Sequence, residues 1–320
     1  AIGSDGSSSG TGFIVPAGAT LNPDIQIALK QYKDMSNQKG KLQKFLISLA
    51  ANDEWIPQAK EDKYGKYVEF LPLKVSPFIP KMLFSGFDKV IMLSGTFMSQ
   101  QAYAREVGIG SNDSLMYTSI PHPFPLTNRP IYYAPNIGNM SYKQQAASIP
   151  QMAKTITRLF DHYTGKRGII FTVSGALQLA LIRELSNIRP DLRSRITDAT
   201  PENKEEALRQ HMTQPDSVIF TTSMWQGVDL KDDLSRFQVF VKVPYASLGD
   251  LRIKKLANSD ETWYHIQAAK VFCQGYGRSV RTETDYADTW ILDSAFGGFY
   301  AKAQPIFPTW FQEALVTTTL

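Results

Sequence analysis

Towards the end of the chain, "FCQGYGRSVRTETDYADTWILD" (272–293) sets Gln274, Arg278 and Arg281 at successive offsets of four and three. On a helix those offsets bring the three side chains to one face. A glutamine and two guanidiniums on a shared face, with Gly275 and Gly277 between them, make a poor core stripe and a good clamp for an anion. Arginine's planar, permanently charged fork suits the equatorial oxygens of a transferring phosphoryl group. An arginine finger there stabilises the charge that develops during transfer. The plainer alternative is a solvated helix face whose arginines pair with nearby carboxylates.

Three further stretches carry candidate chemistry. In "SMWQGVDL" (223–230), Gly227 permits a tight turn after an apolar run and Asp229 presents one carboxylate beyond it. The competing reading is a strand-to-loop turn in which Asp229 caps a helix. In "IIFTVSGALQLA", Thr172 and Ser174 sit where an apolar run gives way to a helical pattern. Hydroxyls and free amides at a helix start bind phosphate, including a nucleic-acid backbone phosphate, or simply cap the helix. In "VIMLSGTF", Ser94 and Thr96 either couple a strand end to a neighbouring site or make a turn. Trp225 is read as packed beneath its loop rather than as a base-stacking platform.

The elements that must position these residues alternate. The sequence predicts two N-terminal helices, at about 23–35 and 39–51, then a polar stretch and the short strand "YVEFLPL". A helix carrying Phe78 to Phe84 starts at Ser76-Pro77. Strands are predicted in "KVIMLSGT", "LMYTSI", "PIYYAP", "GIIFTVSG", "SVIFTTS", "FQVFVKVPY" and "DTWILDS". Helices fall over about 142–163, after "GIIFTVSG", and over "DETWYHIQAAKVFCQGYGRSVR". Strands separated by helices imply α/β architecture with a mostly parallel sheet covered on both faces.

The bulk numbers narrow the chemistry. The 320 residues suffice for one large or two ordinary domains. A hydrophobic share of 43% and a formal charge of +4 describe a packed, mildly basic protein, compatible with a polyanionic partner without requiring one. Cys273 is the single cysteine, so this chain alone can build neither a disulfide framework nor a cysteine-ligated zinc or iron–sulfur site. The four histidines have no ligand-like spacing, and no metal site is assigned. No apolar run approaches the ~20 residues of a membrane span. The first twelve residues read as an added tag or a flexible Gly/Ser-rich loop, and the chain as cytoplasmic, or nuclear if eukaryotic.

Taken in order, the motifs resemble those of superfamily 2 helicases of the XPD/DinG branch. "SGTFMS" (94–99) is similar to motif III, the strand end of "IIFTVSG" to motif IV, "WQGVDL" (225–230) to motif V, and "QGYGRSVRTETDYADTWILD" (274–293) to motif VI and the strand after it. "FPTWFQEAL" (307–315) also looks like the family's tail. The resemblance covers about residues 68–315 and implies a RecA-like motor domain. It further implies a DNA-dependent ATPase moving 5′ to 3′ on single-stranded DNA, with ATP and Mg²⁺ bound between two motor domains. By this resemblance Arg278 and Arg281 face the γ-phosphate with Gln274 beside them. Gly227, Asp229 and Gly277 line the nucleotide cleft. Thr172, Ser174 and Gln226 touch nucleic acid, and Ser94 and Thr96 couple hydrolysis to movement. Residues 13–67 fit the end of an arch-like helical insertion, 68–104 the last elements of the first motor domain, and 105–320 the second.

Two departures stand out. Gln226 takes a position where the family usually has Glu, and "SAF" follows Asp293 without the Arg often found there. A P-loop, Gly-x-x-x-x-Gly-Lys-[Ser/Thr], is missing: Gly40-Lys41, Gly65-Lys66 and Gly165-Lys166 are followed by Leu, Tyr and Arg. The Asp53-Glu54 pair does not follow a buried strand run, as an acidic Mg²⁺ motif would. The expectation is a chain that supplies one wall of an ATP site, works with a first motor domain in the same protein or a separate chain, and does not hydrolyse ATP by itself. The competing class is a degenerate nucleic-acid-binding or scaffold module.

Overall fold

The computed structural model describes residues 23–50, 55–110 and 113–319. The proposed tag at 1–12 and the Asp53-Glu54 pair lie outside the described residues. The chain forms two compact units, divided between Pro72 and Leu73.

In the first unit, helix α1 runs unbroken over Pro23–Ala50, where the sequence predicts two helices. Gly40 alone is too mild a breaker to end it. Strands β1 (Trp55–Asp62) and β2 (Gly65–Pro72) then form an antiparallel hairpin. The sequence predicts no strand in the first of these, and within the segment expected as helical over 13–67 the described residues from Trp55 onward form the hairpin instead. Cross-strand pairing outweighs the polar composition of β1: Lys60 reaches its diagonal neighbour Glu69 at 2.5 Å, and Gly65 takes the positive φ of +127° that the tight turn requires.

The second unit begins with irregular chain, a single π-helical turn over Pro80–Phe84, and helix α2 (Gln100–Val107). Ser99 caps α2 and Gly108 closes it in the left-handed region. The predicted strands "KVIMLSGT" and "LMYTSI" are not strands here. Both segments have no regular secondary structure and no ladder partner among the described residues. A strand pattern needs a neighbouring strand to bond to, and these have none.

The remaining strands and helices are β3 (Ile131–Gly138), α3 (Gln145–His162), β4 (Gly168–Phe171), α4 (Gly175–Ile188), β5 (Ile196–Ala199), α5 (Lys204–Thr213), β6 (Val218–Thr221), β7 (Phe237–Phe240), α6 (Leu251–Ser259), α7 (Glu261–Tyr276), β8 (Asp288–Asp293), α8 (Ala295–Ala303), α9 (Thr309–Ala314) and β9 (Leu315–Thr317). Among the described residues they build a seven-stranded sheet in the order β5-β6-β4-β7-β8-β3-β9, with every pairing parallel. This is an α/β, RecA-like fold.

The residues of β4, β6 and β7 are all buried, which explains their unbroken apolar runs. Alternate side chains go to opposite faces. Ile170, Phe220 and Val239 join α3 and α4 in one cluster, while Ile169, Ile219 and Phe240 join α7, α8 and α9 in the other. In β3 the register with β8 breaks between Tyr133 and Gly138, where Pro135 has no N–H to give the ladder.

Candidate nucleotide-facing site

Helix α7 ends at Tyr276, so Arg278 and Arg281 lie beyond it rather than on its face as predicted. Glycines at 275 and 277 weaken the helix there. Gln238 also draws the chain away, its Nε2 donating to the Tyr276 carbonyl at 2.9 Å and its Oε1 accepting from the Ser279 hydroxyl at 3.2 Å. Ser279 Oγ lies a further 2.7 Å from Ser235 Oγ. These buried polar contacts set the path of the chain that carries both arginines. Helix α7 comes close to the loop after β6 because Gly275 has no side chain. A Cβ there would lie 2.9 Å from Phe240 and 3.2 Å from Trp225.

The loop after β6 runs from the carboxyl end of that strand back to the start of β7. The Thr221 hydroxyl accepts from the Ser223 and Met224 amides at 3.2 and 3.3 Å, which starts the turn. Trp225 stacks on Phe171 with centroids 4.4 Å apart and donates its Nε1–H to the Thr222 carbonyl at 2.8 Å. It is packed, not offered to a base. Gln226 Nε2 donates to Gln274 Oε1 at 2.5 Å, and Gly227 turns the chain at φ +71°, a conformation that favours glycine.

The two arginines meet this loop just beyond. Arg278 Nη1 donates to the Val228 carbonyl at 2.9 Å and its Nε to the Gln274 carbonyl at 2.9 Å. Arg281 Nε lies 3.1 Å from Asp229 Oδ1. The structure thus brings Gln274, Arg278, Arg281, Gln226, Gly227 and Asp229 together. Arg278 is half-buried; burial and the adjacent Arg281 charge pull its pKa below the usual value, and Asp229 opposes them. Arg281 and Asp229 are both well exposed, so their pair is worth only about 0–1 kcal/mol. Arg281 Nη1 also donates to the Gly277 carbonyl at 3.4 Å.

Gln274 also borders two openings. A groove of about 450 Å³ is lined by Ser94, Thr96, Phe97, Tyr103, Lys270 and Gln274. Ser94 Oγ accepts the Thr96 amide at 3.1 Å within the Ser-Gly-Thr turn. A larger cleft of about 830 Å³ lies between α2 and the α6–α7 pair, where Glu106 accepts from Lys270 Nζ at 3.1 Å and Trp263 Nε1 at 3.3 Å.

Three sequence-based assignments fit less well. Thr172 is fully buried, and its hydroxyl lies 2.7 Å from Gln178 Oε1 and 3.1 Å from the Thr221 carbonyl, so it ties β4 to β6 instead of facing a phosphate. Ser174 is exposed and its hydroxyl caps α4, accepting from the Leu177 amide at 3.3 Å. Gly277 has φ −76° and room for a Cβ, so its own conformation does not demand glycine. Sequence reasoning also missed polar residues that frame the site. Lys204, which opens α5, reaches the Gln226 carbonyl at 3.3 Å. Asp285 and Arg236 form a buried pair beneath the arginine segment. Away from the arginines, at the carboxyl end of β8, Asp293 accepts from the Met140, Val243 and Ala295 amides at 2.9–3.0 Å and joins the segments after β3 and β7 to the start of α8. Among the described residues no group of three or more His, Cys, Asp and Glu side chains is arranged to hold a metal ion, and no helix is long and apolar enough to cross a membrane.

The chain is similar to known proteins over this same region. A family model for the helicase C-terminal domain matches residues 156–314. The ATP-dependent DNA helicase DinG of Photobacterium profundum is 22% identical over 256 residues, covering 75% of this chain and 36% of that protein. The regulator of telomere elongation helicase 1 homolog of Caenorhabditis briggsae is 28% identical over 107 residues, 28% of this chain and 10% of its own length. The chain therefore spans little more than a third of the one relative and a tenth of the other. An apo XPD structure superposes with a TM-score of 0.61 at 16% identity, over 94% of this chain and 63% of that one. A second XPD helicase structure gives 0.58 at 17% identity, over 96% and 57%. At those identities the superpositions speak for the fold. With the family match, they show that this chain carries a helicase C-terminal domain over residues 156–314, similar to that of the XPD/DinG-like superfamily 2 helicases.

Proposed function

We propose that this chain is the second motor module of an ATP-dependent helicase that moves 5′ to 3′ along single-stranded DNA. In this reading residues 68–104 complete a first motor domain, in the same protein or a separate chain, whose P-loop holds ATP and Mg²⁺. Arg281 faces the γ-phosphate. Arg278 braces the loop bearing Asp229 and keeps other guanidinium donors for the nucleotide, since among the described residues only its Nε and Nη1 are engaged. Gln274 links this site to Ser94 and Thr96, and Lys204 offers charge to a nucleic-acid backbone.

One observation carries the reading. The two guanidiniums that the motif order picks out converge on the Gly227–Asp229 turn, Arg281 at 3.1 Å from Asp229 and Arg278 at 2.9 Å from the Val228 carbonyl. Finger-type arginines stabilise charge formed during phosphoryl transfer, so their loss lowers turnover far more than binding.

The test is ATP turnover by the complete protein with and without single-stranded DNA. Arg281→Ala is expected to lower DNA-stimulated turnover by about 10³-fold or more, with DNA binding kept within a few fold. Turnover that survives Arg278→Ala and Arg281→Ala together would remove the arginine assignment. A complete protein that binds DNA but shows no stimulated turnover would favour the degenerate scaffold, for which Gln226 in place of Glu is the sequence argument.

A further inference from the structure

We propose that Asp285 is the positioning residue for Arg281: one buried carboxylate holds the backbone of the arginine and of the loop bearing Asp229 in a common frame. The inference rests on reading Arg281 as the residue that faces the nucleotide. Asp285 is 1% exposed and sits in a stretch, "RTETDYA", whose other polar residues are exposed. A turn closed by the Asp285 amide on the Thr282 carbonyl, at 3.2 Å, folds the carboxylate back. Its Oδ2 then accepts the Arg281 amide at 3.2 Å and the Asp232 amide at 3.1 Å. Its Oδ1 receives Arg236 Nη1 at 2.6 Å.

Burying an ionised carboxylate is unfavourable unless a cation and hydrogen-bond donors surround it. Arg236 supplies the charge and the two amides supply the donors. Arg236 is held in turn by Asp233 at 2.9 Å and by the Tyr286 carbonyl at 3.0 Å. The carboxylate therefore joins three segments: the arginine's own, the descending loop at 229–232, and the start of β7. The Arg281 side chain is exposed and held only by its contacts with Asp229 and the Gly277 carbonyl among the described residues, so its reach depends on where its backbone starts. A shift of about 1 Å in a group that acts on a transition state can lower the rate about a hundredfold. Asp285 bonds to the Arg281 amide and not to its guanidinium, so it acts through the backbone.

The experiment compares Asp285→Asn and Arg281→Ala with wild type in the complete protein. It measures kcat and KM for ATP, and affinity for ADP with aluminium fluoride against affinity for a non-hydrolysable ATP analogue. Asp285→Asn is expected to lose about tenfold or more in kcat and in affinity for the aluminium fluoride complex, with KM and analogue affinity changed less than about twofold. If Arg281→Ala keeps its affinity for the aluminium fluoride complex, the underlying reading of Arg281 falls and this inference with it. If Arg281→Ala loses that affinity while Asp285→Asn does not, or loses both affinities equally, only the role of Asp285 is overturned. Amide hydrogen exchange in the wild-type protein needs no variant and covers the case in which Asp285→Asn does not fold. The Arg281 and Asp232 amides are expected to exchange slowly, and an unprotected rate at either would overturn the proposal.

Discussion

Two segments of this chain look alike in sequence and end in opposite surroundings. "VIMLSG" and "IIFTVSG" are both apolar runs that finish in a Ser-Gly step. Ile169 and Ile170 of the second are wholly buried, because β4 lies between β6 and β7 and helices cover both faces. Ile91 and Leu93 of the first are 86% and 90% exposed. Met116 and Ile120, in the other predicted strand that has no ladder, are exposed as well. An apolar strand pattern therefore states what a segment does once a sheet receives it, and the sheet comes from elsewhere in the fold. Contiguous exposed apolar chain marks an interaction surface. This matches the proposal that residues 68–104 complete a first motor domain.

The sharpest way to break the comparison is to truncate one side chain in each run. Ile170→Ala is expected to lower the unfolding free energy of this chain by about 2–5 kcal/mol, from lost burial and the cavity left behind. Leu93→Ala is expected to change it by no more than about 0.5 kcal/mol. Urea unfolding of the two variants measures both. Equal losses would mean that the 89–93 run is already packed in solution.

The next effect is acid sensitivity confined to the packed region. His211 is fully buried, with Nδ1 3.0 Å from Ser217 Oγ and Nε2 2.7 Å from the Leu234 carbonyl. Burial pushes its pKa down to about 4; the bond to the Leu234 carbonyl works against this, and the nearby Arg167 charge adds to it. In the unfolded chain the same ring takes up a proton near the usual value of 6.5. Between these values the unfolded state holds more protons than the folded one, so stability is complete above about pH 6.5 and falls as pH drops towards 4. The loss amounts to about 3 kcal/mol over that window. Denaturant titrations at several pH values should show this slope, and His211→Phe should reduce it, leaving the share of His122, whose pKa burial also pushes down to about 4, while lowering stability at neutral pH. A slope unchanged by the substitution would assign the acid sensitivity elsewhere.

The same contrast explains what can be read from the sequence and what cannot. The central strands are legible because both of their faces are buried, which forces continuous apolar runs. Strand β5 is not, because it is an edge strand with Thr197 and Asp198 in it, held by β6 and by the 2.8 Å contact of Thr197 with Ser217. Gln274, Arg278 and Arg281 are legible by type and spacing, although the helix expected to align them stops at Tyr276. Thr172 misleads because a hydroxyl at a strand end looks the same whether it faces solvent or a buried glutamine. Asp285 cannot be found in this way, since the residues that make it significant, Arg236 and Asp232, stand 49 and 53 positions away.

The smallest effect concerns two glycines, one in each region. A Cβ on Gly168, at the start of β4, would lie 2.4 Å from the Phe237 ring. That ring is stacked on Tyr163 with centroids 4.4 Å apart, and Tyr163 accepts the Trp290 indole N–H at 2.9 Å, so it has little freedom to move aside. Over-packing of this kind costs about 1–3 kcal/mol, and Gly168→Ala should show it as a lower urea midpoint with an unchanged slope. Gly95, in the Ser-Gly-Thr turn, has nothing within 4 Å of where a Cβ would stand and no left-handed φ, so Gly95→Ala should be close to neutral in this chain. The second variant gains its meaning in the complete protein. If the 89–96 segment enters the sheet of a first motor domain there, a methyl at position 95 meets a packed neighbour and the substitution becomes destabilising. If Gly95→Ala stays neutral in both settings, the exposed run has no sheet to join, and the likeness between the two runs ends at composition.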